Sequence, residues 1–269
     1  MRIACMVSML LLGLAACARD FGALRQPTVT EATLQQSAVM DEIEAMLDLG
    51  DYRAAEARLA EALGTGFHHP RAYLLRGRLA LGQGGKQRAE AAIPWFERAV
   101  EASPGWFAAR TALGQTYLEA QRYAAADAVF AELDRLYPEH PVGPYGRGVI
   151  AETRGSEEAA AQFLDQALQR DGAFAPALRA RAYLASQQGD AQAHRRLLER
   201  YLAARPGDAE AHLELGGVLE AAGRLEDARR SFERSWKLFP SKRTARRLAE
   251  LARRRGRPQA AAQWEQRAE

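Results

Sequence analysis

The sequence predicts an all-α fold, a solenoid of about seven helix-turn-helix units, and three observations carry that prediction. Alanine, leucine, glutamate and arginine dominate the composition and β-branched residues are few, so helix is the expected backbone state. Strides of 34 residues from Gly114 land on Gly148, Ala182 and Gly216, and the same stride from Pro104 lands on Pro138, Gly172, Pro206 and Pro240. Within that period Ala92, Ala126, Ala160 and Ala228 share one position, and Phe96, Phe130, Leu164, Leu198 and Phe232 follow at one large apolar position. Four-residue spacing puts the small and the large side chain on one helix face. Small residues then let helix axes approach, the large residue fills the space between successive units, and proline ends the second helix.

Taken in order, the chain opens with Met1, Arg2 and Ile3 and an apolar run from Ala4 to Leu14, which is the charged start and short hydrophobic stretch of a secretory signal. The run is too short to span a bilayer. Leu14-Ala15-Ala16-Cys17 resembles the lipobox of bacterial lipoproteins, in which a branched apolar residue and two small ones precede the cysteine that becomes residue one. That resemblance implies removal of residues 1–16, a diacylglycerol on the Cys17 sulfur and a fatty acid on its new amino terminus. Several acyl chains anchor stably where one does not. The bland alternative is an unmodified thiol after an ordinary signal peptide. Ala18 rather than aspartate follows the cysteine, which by resemblance to lipoprotein sorting in Gram-negative bacteria implies the outer membrane, facing the periplasm.

Cys5 lies in the discarded segment, so with Cys17 acylated no thiol remains for a disulfide or a metal site, and no cofactor beyond the covalent lipid is expected. The net charge of +3 falls to +2 once Arg2 is removed, which argues against nucleic acid as a partner. Residues 17–35, including Arg19, Asp20, Pro27 and Thr28, match no unit and read as a tether. The first helix is expected near Thr30, a suitable cap, because Leu34, Val39, Ile43, Met46 and Leu47 have helical spacing.

Leu113-Gly114, Tyr117, Ala126, Phe130 and Pro138 match the W-x2-L-G-x2-Y…A-x3-F…P pattern, and on these residues the chain resembles the tetratricopeptide repeat family from residue 36 to residue 269. The resemblance implies a right-handed superhelical solenoid. Its units begin near Gln36, Pro70, Phe107, Pro141, Ala175, Ala209 and Lys242, with the first and last degenerate, as capping units are. Gly77 to Gly114 spans 37 residues rather than 34, and the excess falls in Gly82-Gln83-Gly84-Gly85-Lys86. Pro94 is expected to make the second helix of that unit start late or kink. His194 and Tyr201 stand where small residues belong, so the fifth helix pair is expected to separate or shift.

Catalytic chemistry is not indicated. Gly82-Gln83-Gly84-Gly85-Lys86-Gln87 fails as a phosphate loop, because Ala80 stands at the first glycine, Gln87 at the hydroxyl residue, and no strand precedes it. His68-His69, His140 and His212 lack metal-ligand spacing, and Ser103, Ser156, Ser186 and Ser241 lack a nucleophile context. Glu157-Glu158 and Glu226-Asp227 fall at starts of second helices, where they complement the helix dipole. Lys237, Lys242, Arg243, Arg246, Arg247, Arg253, Arg254, Arg255 and Arg257 make the last unit basic: a solvated capping face, or a surface for an acidic partner or anionic membrane.

In the family that the chain resembles, first helices line a concave groove in which ligands lie. By register, that groove falls on Arg78, Thr111, Gln115, Tyr145, Val149, Glu152, Arg179, Tyr183 and Leu213. Tyrosines and arginines suit a protein partner, although the tyrosines could equally fill gaps between helices. The carboxylate clamp for chaperone tails needs groove asparagines, and the sequence contains none. Lipoproteins of this size and architecture resemble the pilotins of type IV pili and the repeat lipoproteins of Tad-type pilus loci. The expected function is therefore a scaffold, not an enzyme, which binds an envelope protein during pilus or secretion-system assembly and takes no small-molecule substrate. The alternative is an adaptor for envelope proteases or peptidoglycan enzymes.

Overall fold

The computed structural model describes residues 34–64, 69–85 and 87–268, with side chains described from residue 37. The signal segment, Cys17 and Thr30 lie outside these residues, as do His68 and Lys86. Among the described residues fourteen α-helices follow one another and no strand occurs. None of these helices is long and apolar enough to cross a membrane. They divide into two compact bodies, one ending at Arg170 and one beginning at Asp171.

The first body holds four helix pairs: α1 (Leu34–Asp48) and α2 (Tyr52–Gly64), α3 (Pro70–Gly82) and α4 (Arg88–Ala102), α5 (Phe107–Glu119) and α6 (Tyr123–Leu136), α7 (Val142–Thr153) and α8 (Glu157–Arg170). The second body holds three: α9 (Ala175–Gln187) and α10 (Ala191–Ala204), α11 (Ala209–Ala221) and α12 (Leu225–Leu238), α13 (Lys242–Arg254) and α14 (Pro258–Gln266). The first helices thus start where the 34-residue stride places them, with Pro141 as the N-cap of α7. Pro104, Pro138, Pro206 and Pro240 each follow the end of a second helix by two residues.

The stride is a packing rule made visible. A Cβ added to Gly77 would lie 2.5 Å from the Phe96 ring, and one added to Gly114 would lie 2.9 Å from the Phe130 ring. Gly148 is closed by Leu164 and Gly216 by Phe232 in the same manner. Phe130 also lies against Gly146 of the following repeat, so one ring fills the space between two units. Phe96, Phe130 and Phe232 are wholly buried.

Turns between paired helices repeat as well. Gly50, Gly155, Gly189, Gly223 and Gly256 adopt positive φ there, where a side chain would be strained. Gln121 takes the equivalent place in the third repeat at φ 59°, the single non-glycine with positive φ among the described residues.

Two expectations about irregular repeats resolve differently. α4 starts at Arg88, no later in the register than α6, and runs through Pro94, so the late start is not found. Pro94 is solvent-exposed, and the Glu90 carbonyl that its missing N–H leaves free can be met by water. In the fifth repeat His194 is accommodated by turning its polar edge toward a partner: Nε2 lies 2.7 Å from Glu214 Oε1 on α11. Tyr201 likewise ends at Asp208, with 2.7 Å between its hydroxyl and Oδ2, and burial, reinforced by that hydrogen bond, pushes its pKa up to about 12.

Candidate functional site

First helices supply all nine residues assigned to the groove, on helical spacings that put each set along one face. Thr111 and Gln115 come from α5, and Tyr145, Val149 and Glu152 from α7, which packs against α5 within the first body. Arg78 lies on α3. Arg179 and Tyr183 lie on α9 and Leu213 on α11, in the second body.

Burial sorts these nine into two kinds. Tyr145 is 0% exposed, Thr111 3%, Val149 4% and Leu213 6%, so these side chains serve chiefly as packing. Leu213 belongs to the core cluster formed with Leu198, Leu219 and Phe232. Tyr145 is enclosed because α7 is built to approach its neighbours closely: Gly146 faces the Phe130 ring, and a Cβ on Gly143 would lie 2.8 Å from the Asp134 backbone nitrogen. Arg78, Gln115, Glu152, Arg179 and Tyr183 are only partly buried and retain surface.

Electrostatics divides the partly buried set again. Arg78 donates to Glu44 Oε1 at 2.5 Å and to Asp48 Oδ1 at 2.7 Å, both on α1. Arg179 stands 2.5 Å from Glu214 Oε2 and over the Tyr201 ring. Burial alone would raise the Glu214 carboxyl; the His194 hydrogen bond and the Arg179 charge outweigh it, so the group lies below its usual value. Since a carboxylate only accepts, His194 donates from Nε2. Among the described residues Glu152 has no such partner: burial is the influence on its carboxyl and pushes it above the usual value. Thr111 Oγ1 and Gln115 Nε2 are buried atoms that meet no hydrogen-bond partner among the described residues.

The histidines and basic residues have local roles. His69 Nδ1 accepts from Arg71 N and His140 Nδ1 from Val142 N, each at 3.2 Å, which secures the entry to α3 and to α7. His212 Nε2 donates to the Pro206 carbonyl at 3.2 Å. Among the described residues, no three histidine, cysteine, aspartate or glutamate side chains gather as metal ligands. In the last repeat Arg247 and Arg254 converge on the buried Glu220, at 2.6 and 2.7 Å, while Arg243 pairs with Glu210, Arg253 with Glu265 and Arg255 with Glu226. The basic stretch is thus largely neutralised by acids of its own body.

Sequence models described as tetratricopeptide repeat match residues 40–105, 111–176 and 223–269, and another of the same description matches residues 185–241. The chain belongs to the tetratricopeptide repeat family. The fold is also that of solved repeat proteins. A tetratricopeptide repeat protein from Parabacteroides merdae is 18% identical with a TM-score of 0.56, over 86% of this chain and 91% of that one. PilW, titled a widely conserved type IV pilus biogenesis factor, is 20% identical with a TM-score of 0.53, over 72% of this chain and 90% of its own. MamA is 18% identical with a TM-score of 0.51, over 58% and 92%. A search of curated proteins finds no match. Tetratricopeptide repeat proteins are in general non-enzymatic, and as a member of the family this chain is a scaffold for protein–protein interaction.

Proposed function

We propose that this tetratricopeptide repeat protein is a lipoprotein of the bacterial outer membrane, anchored through acylated Cys17 and facing the periplasm, which holds a protein component of a pilus or secretion machine during assembly. The observation that carries this reading is Leu14-Ala15-Ala16-Cys17 standing ahead of a repeat stack: an anchor joined by a tether to a protein-binding scaffold. The likeness to PilW supports the choice of machine at the level of fold. Within each body the first-helix residues that keep surface are the ones that grip the partner: Arg78, Gln115 and Glu152 in the first, Arg179 and Tyr183 in the second.

Labelling with an alkyne fatty acid tests the anchor: wild type incorporates the label and floats with outer membranes, whereas Cys17→Ala does neither. Equal labelling of both would refute it. Crosslinking in native membranes followed by mass spectrometry tests the partner, comparing wild type with Gln115→Ala and, separately, Tyr183→Ala. Recovery of a pilus or secretion component that is lost in these variants supports assembly. Recovery of a hydrolase instead overturns it in favour of the adaptor.

A further inference from the structure

The first body lays an arginine over an aromatic ring twice, at the same place in the repeat, and supplies a counter-ion only once. Arg147 immediately precedes Gly148 on α7, and its guanidinium carbon lies 4.4 Å from the centroid of the Phe163 ring on α8. Arg76 immediately precedes Gly77 on α3 and lies over Trp95 of α4 in the same manner, at 5.3 Å. Asp127 on α6, the residue after buried Ala126, meets Arg147 at 3.1 Å. Glu56 on α2, the residue after buried Ala55, holds the corresponding position for Arg76. It is engaged instead by Gln83, whose Nε2 donates to it at 2.9 Å from the lengthened turn after α3.

The second repeat then adds a cation where the counter-ion is missing. Arg98 on α4 also lies over Trp95, at 5.1 Å, so two guanidinium groups share one indole. Among the described residues, neither Arg76 nor Arg98 donates a side-chain hydrogen bond or stands within ion-pair distance of a carboxylate. Arg147, Arg179 and Arg247, which lie over rings too, each meet an acid as well. Arg98 is exposed, and the side-chain nitrogens of Arg76 remain open to solvent. Like charges gathered on one ring repel, and an anion that meets both removes that repulsion and finds its donors already held in place.

We propose that Arg76, Trp95 and Arg98 form a docking surface for an aspartate or glutamate side chain of a protein partner, met by both guanidinium groups. The surface rests on the chain being a scaffold for proteins and needs neither the anchor nor the groove. Arg76 stands two residues before Arg78, a spacing at which helical side chains diverge, so it lies off the groove face. Arginine's planar fork matches a single carboxylate. An anionic bilayer is the poorer occupant, because Glu97 and Glu101 lie beside Arg98 on α4 and would oppose its charge, and Trp95 is half-buried, with little ring to insert.

The test is selection of a phage-displayed random dodecapeptide library on the full chain, followed by a double-mutant cycle on the best peptide. Aspartate or glutamate enriched at one position is expected. Changing that residue to its amide should weaken binding to wild type about tenfold, the worth of one charge-assisted hydrogen bond, and leave binding to the double variant Arg76→Gln, Arg98→Gln nearly unchanged. Arg98→Glu should select basic residues at that position. Peptides without an enriched acid, or losses that simply multiply in the cycle, overturn this surface; if such peptides are lost in Gln115→Ala the groove still stands, and if they are not, both fall. Binding of the Cys17→Ala chain to phosphatidylglycerol but not phosphatidylcholine vesicles, abolished in the double variant and unaccompanied by acidic peptides, overturns the protein partner in favour of the membrane. Unchanged circular dichroism and melting behaviour in the arginine variants exclude misfolding as the cause.

Discussion

The first-helix face of α5 and α7 and that of α9 and α11 are built from the same repeat but use their charges in opposite ways. On α11, Glu214 is met by both Arg179 and His194, and Glu220 by both Arg247 and Arg254. On α7, Glu152 is met by no cation among the described residues of its body, and on α5 Thr111 and Gln115 keep polar atoms unmatched among those residues. The difference separates two uses of a polar residue on a solenoid. Met from within, a carboxylate locks one repeat to the next; left open and partly removed from water, it lowers stability.

Substitutions can break or sharpen that contrast. The largest effect is expected from Glu220→Gln, which leaves two arginines without their shared acceptor beneath the capping pair; chemical denaturation should show a loss of about 3 kcal/mol. Glu214→Gln should lose about 2 kcal/mol, because one of its partners, His194, is itself buried. Its pH dependence has a definite sign. The carboxyl lies below its usual value in the fold, so its stabilisation is present above the ordinary glutamate range, about pH 4, and disappears as pH falls through the lowered value. Melting curves of Glu214→Gln should therefore be flatter in acid than those of wild type.

Gln121→Gly should stabilise by about 1 kcal/mol, since it gives the third repeat the residue its turn demands. The smallest effect, a gain of about half a kcal/mol at neutral pH, is expected from Glu152→Gln. Here the folded carboxyl lies above its usual value, so protonation favours the fold, and this contribution is lost as pH rises through the folded value. The advantage of the glutamine variant should accordingly vanish in acid. A loss of stability instead would mean that Glu152 is already paired and would erase the contrast.

Repeat boundaries were legible because the constraint is local and recurs: glycine opposite phenylalanine and proline two residues past a helix end each leave a mark on a fixed stride, and the left-handed turn glycines, which the sequence reading passed over, share it. Register placed the proposed groove residues on first helices but did not say which of them keep surface. Register named Tyr145 and Leu213 alongside Gln115 and Tyr183, yet the former pair are enclosed and the latter keep surface. Depth at a given register depends on neighbouring helices, and for Tyr145 it depends on Gly143 and Gly146 drawing α7 inward. The His194–Glu214–Arg179 network had one visible signal, a histidine at a small-residue position, but its partners come from helices on either side. Pro94 did not delay the start of its helix, since whether a helix tolerates proline depends on which face meets water.

By itself, then, the sequence determined the helix pairs, their boundaries and the family, because the interactions that set them lie within one repeat or between adjacent repeats at constant separation. Tertiary structure decided which polar side chains are spent inside the protein. That choice turns on whether an opposite charge from another helix arrives within hydrogen-bonding distance, a matter of a few ångströms that a repeating pattern leaves open.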